Sequence, residues 1–160
     1  MSEDPPHDEA ENPDQRLLSA AAIKSFRLNG QFLAVAEKLA GTAGLTAARW
    51  QVLGAVLHDP LPVAGIARAM GITRQSVQRS ADVLVEQGLA EYLPNPAHRR
   101  AKLVRPTPAG LEAVSRIDPA HRAFASRLVE EIGRHGLEDA LDALIALGTA
   151  LEALEELAEP

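Results

Sequence analysis

Apolar residues recur at helical spacing from Arg16 to about Ala40, at Leu18, Ala22, Phe26, Leu33, Ala36 and Leu39. That period predicts a long amphipathic helix, ended by Gly41 and Gly44. Thr46 has the chemistry of an N-cap for a second helix, AARWQVLGAVLHD, which stops at Pro60. A short third helix, VAGIARAM, ends at Gly71, and a fourth runs from its cap Thr73 to Gly88. Two strand-like runs, LAEYL and KLVRP, then flank the turn-rich stretch PNPAHRRA. Thr107 and Pro108 open a fifth helix as cap and first helical residue, and Asp118-Pro119 predicts a kink or break within its pattern. The last helix runs from about Leu137 to Leu157. Leu137, Leu141, Leu144, Leu151 and Leu154 form its apolar stripe, with Ala140 and Gly148 between. The fold class is therefore α+β, mostly helical.

The third and fourth helices, joined by a tight glycine turn, form a helix-turn-helix unit. Ile66, Met70, Ile72, Val77, Ala81 and Leu84 are the positions that would pack together. At 3.6 residues per turn, Arg74, Gln75, Gln78 and Arg79 then face outward. Arginine pairs bidentately with guanine, and glutamine with adenine, in the major groove of DNA. Thr73 and Ser76 sit at the helix N-terminus, where hydroxyls, free N–H groups and the helix dipole favour a phosphate. Asp82 and Glu86 fall where such a helix would leave the groove. The turn-rich loop adds Arg99, Arg100, Lys102 and Arg105, four cations within seven residues on a projecting hairpin. A basic hairpin behind a groove-reading helix makes a winged helix-turn-helix, whose wing follows the backbone or enters the minor groove. A merely solvated polar helix would not need this pairing of features.

Charge sharpens that picture. The chain of 160 residues has a net charge of −6, yet the acid is concentrated at the ends. Residues 1–14 hold six acids and residues 137–160 hold seven, with no Lys or Arg in either segment. The segment between carries 16 basic and 9 acidic residues, a net +7 that fits a polyanion partner. The absence of cysteine excludes disulfides, thiolate zinc sites and thiol redox sensing. The N-terminus has neither a basic region nor an apolar core, so no signal peptide is expected. With no run of about 18 apolar residues, no transmembrane helix is expected either.

From about Arg16 to Leu157 the sequence resembles the multiple-antibiotic-resistance regulators, the MarR family. The resemblance is carried by LTAARWQVLGAVL and by VAGIARAMGITRQSVQRSADVLVEQGLAEYLPNPAHRRAKLVRPTPAG. Gly-Leu before the first strand, the paired wing arginines and the Thr-x-x-Gly opening of the next helix all match. The sequence departs from the pattern at His98 and Asn95, where aspartates are common, and at Pro106, where an apolar residue is usual. The resemblance implies a homodimeric winged-helix transcriptional regulator whose partners are a second copy of the chain and a double-stranded DNA operator, with no membrane partner. It implies a repressor of a palindromic operator, released by a small phenolic or other organic ligand, in the bacterial cytoplasm at the nucleoid.

On this reading residues 1–15 are a disordered acidic arm and 16–45 an N-terminal dimerisation helix. Residues 46–107 are the winged helix-turn-helix core, and 108–160 the C-terminal dimerisation helices. Intrachain core packing is the plainer account of those flanking helices. The DNA-binding set is Thr73, Arg74, Gln75, Ser76, Gln78, Arg79, Arg99, Arg100 and Lys102. Family effectors lie between the dimerisation region and the winged helix, where Phe26, Arg49 and Trp50 could line a pocket; Trp50 also reads as core. His58 and His121 read as surface or satisfied histidines, and no histidine spacing marks a metal site. No cofactor is implied. No nucleophile elbow or phosphate loop is present, and Glu130, Glu131 and His135 read as helix-surface charges, so no enzyme is expected. The competing readings are an activator or dual regulator of the same fold, and a winged-helix protein-interaction module.

Overall fold

The computed structural model describes residues 12–158, so residues 1–11 of the expected acidic arm lie outside it. Helix α1 (Pro13–Gly41) begins ahead of the expected Arg16, leaving Pro13–Gln15 helical. Asn12 accepts the Asp14 N–H at 2.9 Å, and Gln15 Oε1 accepts the Asn12 N–H at 3.2 Å. This reciprocal capping, with Pro13 as the first helical residue, starts the helix early. Thr46 caps α2 (Ala47–Ala55) by accepting the Arg49 N–H, while Glu37 of α1 accepts the Ala47 N–H at 2.7 Å. Helix α2 stops short of the expected Pro60. Its end tightens into i→i−3 bonds at Val56 and Leu57, and Pro60 biases Asp59 towards extended backbone. The chain thereby turns into a strand that the pattern did not reveal, β1 (Leu61–Pro62).

Helix α3 (Val63–Met70) and helix α4 (Arg74–Glu86) follow, separated by Gly71 at φ 62° and the cap Thr73. Strands β2 (Ala90–Leu93) and β3 (Leu103–Pro106) form the expected hairpin. β1 pairs with the other side of β3, giving an antiparallel sheet in the order β1-β3-β2. Pro62 lacks an N–H, and an edge strand tolerates that loss.

Three helices, not two, follow the sheet: α5 (Pro108–Ser115), α6 (Asp118–Ile132) and α7 (Arg134–Ala158). The break expected near Asp118-Pro119 separates α5 from α6, with Pro119 in the first turn of α6 and Ile117 fully buried at the joint. Gly133, at φ 75°, divides α6 from α7 and moves the start of the last helix ahead of Leu137.

The core sits inside the winged helix. Val52, Leu53 and Val56 of the α2 segment meet Ile66, Val77, Ala81, Leu84 and Val104, all fully buried or nearly so. The flanking helices are different. Of fifteen exposed large hydrophobic residues among those described, thirteen lie on α1, α6 and α7. These helices therefore carry apolar faces that the single chain leaves uncovered. No helix among the described residues is long and apolar enough to cross a membrane.

Candidate nucleic-acid interface

Burial of Val77, Ala81 and Leu84 sets the rotational phase of α4. Arg74, Gln75, Gln78 and Arg79 are consequently exposed, as the period predicts. The two hydroxyls at the N-terminus divide their work. Thr73 Oγ1 accepts the Ser76 N–H at 3.2 Å and donates its own proton to Ser76 Oγ at 2.9 Å. Thr73 is thus the cap, and the Ser76 proton is the one left to reach outward. Arg79 Nη2 lies 3.4 Å from Ser76 Oγ.

A cleft of about 670 Å³ opens between α4 and the hairpin. Arg74, Gln75 and Gln78 line it from the helix, and Arg100 and Lys102 from the wing. Two further lining residues, Asp82 and Tyr92, were not among the expected set. Tyr92 donates its O–H to Asp82 Oδ1 at 2.5 Å, and Gln78 Nε2 lies 2.9 Å from both oxygens. Asp82, one turn after Gln78 on the same side of α4, is thus its hydrogen-bond partner. The i,i+4 spacing of Gln78 and Asp82 was visible in the sequence, but the arrival of Tyr92 from β2 was not. Lys102 Nζ stands 5.7 Å from the centroid of the Tyr92 ring, within cation–π reach.

Burial, then the hydrogen bond and charge of Asp82, push the Tyr92 hydroxyl from 10.0 up to about 12, with Gln78 opposing. A proton held more tightly in the folded chain stabilises it below pH 10, and that contribution is lost as pH rises through the interval to about 12. Tyr92 is the sole tyrosine, so ultraviolet titration of tyrosinate reads it directly. The expected midpoint is near 12, moving down in Asp82→Ala. An unchanged midpoint in that variant would contradict the Asp82 contact.

The wing loop carries Pro94 and Pro96 on either side of Asn95, whose Oδ1 accepts the Ala97 N–H at 3.0 Å. The Ala101 N–H then closes on His98 O, also at 3.0 Å. A neutral amide thus shapes the loop where the family commonly has a carboxylate. Arg99, Arg100 and Lys102 are exposed, and none pairs with a carboxylate among the described residues. Arg105 does: its Nη2 and Nε approach Oε1 of Glu91, its cross-strand neighbour, at 2.6 and 3.0 Å. It bridges the two strands of the hairpin, leaving Arg99, Arg100 and Lys102 as the wing cations without a carboxylate partner among the described residues.

A second cavity, of about 290 Å³, lies among α1, α2, α6 and α7. Phe32, Leu39, Trp50, His121, Phe124 and Leu137 contribute to its wall. Trp50 meets His121 edge-on, with ring centroids 5.5 Å apart. Of the three expected pocket residues only Trp50 is in the lining. Phe26, 75% exposed, projects from a different face of α1 than Phe32, and Arg49 is turned away one position before Trp50. His121 is exposed, as its sequence reading has it, and it also lines the cavity. No cluster of potential metal ligands occurs among the described residues.

A model of the MarR family matches residues 43–101. An uncharacterised protein of Mycobacterium tuberculosis is 37% identical over 128 residues, spanning 80% of this chain and 90% of that protein. The fold is similar to that of the M. tuberculosis transcriptional regulator MosR, solved in complex with DNA, with a TM-score of 0.70 at 21% identity over 84% of this chain and 97% of that one. It is also similar to BpsR of Bordetella bronchiseptica, whose DNA binding is regulated by 6-hydroxynicotinic acid, with a TM-score of 0.70 at 20% identity over 81% and 98% of the two chains. The family model spans the helix-turn-helix and the start of the wing described above, and the chain belongs to the MarR family of winged-helix transcription regulators.

Proposed function

We propose that this regulator is a homodimeric repressor that binds a palindromic operator in double-stranded DNA and is released by a small organic ligand. The observation that carries the reading is the shared cleft, where Arg74, Gln75 and Gln78 of α4 meet Arg100 and Lys102 of the wing. A helix face with base-reading chemistry and a basic hairpin beside it can engage a groove and the adjoining backbone together. One such unit makes few contacts. The uncovered apolar faces of α1, α6 and α7 support pairing of two copies, which would read half-sites about 10 bp apart or a multiple of that. The Trp50–His121 cavity, apolar with a few polar groups, supports a small aromatic or other organic ligand. The role is binding rather than catalysis, at the nucleoid in the cytoplasm.

The test is binding to duplexes from the gene's own upstream region across a salt series. Several phosphate contacts should make affinity fall steeply as salt rises. Failure to bind any upstream duplex at low salt would overturn the proposal. Residue roles separate in the same assay. Arg74→Ala should relax sequence preference, whereas Arg99→Ala should weaken all sequences about equally and reduce the salt slope by about one per site. Uniform weakening by Arg74→Ala would instead make it a backbone contact.

A further inference from the structure

Gln78 is an exposed amide on α4 with its orientation set from below. Asp82 accepts hydrogen bonds and, when ionised, cannot donate them. Tyr92 has already given its proton to Asp82, so it too meets Gln78 with a lone pair. The amide nitrogen of Gln78, and not its oxygen, must therefore face this pair. The two acceptors are 2.5 Å apart and each 2.9 Å from Nε2, so they subtend about 50° at the nitrogen. That is much narrower than the trigonal angle between the two N–H bonds, so one N–H is shared between both acceptors. The other N–H and the carbonyl oxygen remain unengaged. Gln75, one turn earlier, has no side-chain partner among the described residues, and its amide is free to turn over.

The direction of the amide matters because purines differ in the major groove. Adenine presents an N6–H donor beside the N7 acceptor, whereas guanine presents two acceptors, O6 and N7. A glutamine free to turn over can offer N–H to guanine O6. One whose oxygen is held away from Asp82 and Tyr92 meets that O6 with a lone pair. We propose that Asp82 and Tyr92 form a specificity lock, holding the Gln78 amide so that α4 selects adenine over guanine at one position of each half-site. This inference rests on the reading of α4 as groove-facing. Asp82 and Tyr92 are positioning residues that act through Gln78, and the tightly held Tyr92 proton keeps the lock set through the ordinary pH range.

The probe is a pool of duplexes randomised across two half-sites, selected by the full chain and by Gln78→Ala, Asp82→Asn and Tyr92→Phe. All three changes are at positions outside the buried core, and thermal melting of each checks that it is folded. The chain as it stands should favour adenine over guanine about tenfold or more at one position, and Gln78→Ala should abolish that preference. Asp82→Asn should lower the ratio several-fold without erasing it, because a carboxamide can donate as well as accept and lets the amide turn over, while a free glutamine still pairs with adenine. Tyr92→Phe should give an intermediate ratio, since the carboxylate remains. Removing the Asp82 charge tightens all sequences together, so the ratio and not the affinity is read. A ratio unchanged in Asp82→Asn overturns the lock while leaving DNA binding intact. Guanine or thymine at the Gln78-dependent position overturns it equally. Selection of no sequence at low salt removes the groove-facing reading itself, and the lock with it.

Discussion

Gly110→Ala is expected to lower the melting temperature by about 10 °C. A Cβ at this position would lie 1.9 Å from the carbonyl oxygen of Leu89 and 3.0 Å from its carbon. Neither atom is the end of a flexible side chain. The Leu89 carbonyl accepts the Thr107 N–H at 3.0 Å, and Thr107 Oγ1 both donates to Gly88 O at 2.6 Å and accepts the Gly110 N–H at 3.2 Å. Relief of the clash therefore requires breaking the joint between the end of α4 and the start of α5. Overpacking of this severity costs about 3 kcal/mol, and for a chain of this size each kcal/mol moves the melting point by about 2–4 °C. Gly54→Ala supplies the comparison, since nothing lies within 4 Å of its added Cβ and its φ is ordinary. Circular dichroism melts should show a large loss in the first variant and a small gain in the second. Equal melting points for the two would contradict the account.

Ile145→Glu is expected to convert the proposed homodimer into monomers and to weaken operator binding by about a hundredfold or more. Ile145 is 57% exposed in the single chain, among Leu141, Leu144, Leu151 and Leu154 on α7. If a second copy covers this face, a carboxylate there must be buried without a partner or the interface must open. The affinity loss follows because the second half-site is then no longer gained by an attached neighbour. Sedimentation velocity gives the mass and duplex titration gives the affinity. Arg99→Ala, on the wing, should leave the mass unchanged. A retained dimer with unaltered affinity would place the interface elsewhere.

The local chemistry of this fold was legible from residues alone. Thr46, Thr73 and Thr107 each accept an N–H from the first turn they precede, and α3 spans the predicted Val63–Met70. Periodicity also set which side of α4 is buried. What stayed hidden depends on residues distant in sequence. β1 is two residues long and contains proline, so it has no period to detect and exists only because β3 pairs with it. Arg105 reads as a free cation until the hairpin register places Glu91 opposite. Tyr92 joins Gln78 across fourteen positions, and His121 joins Trp50 only when α6 folds back over α2. The early start of α1 was present in Asn12, Pro13 and Gln15, but their acidic neighbours masked it.

Pro94 and Pro96 give the wing a property that its charge alone does not. Each ring fixes one backbone torsion, and Asn95 between them closes its own turn on Ala97. The loop thus enters any encounter with fewer conformations to surrender. Ordering entropy is a direct subtraction from binding free energy. Arg99 and Arg100 carried on this stiffened stem therefore lose less of their attraction to immobilisation than the same pair would on a glycine-rich tip.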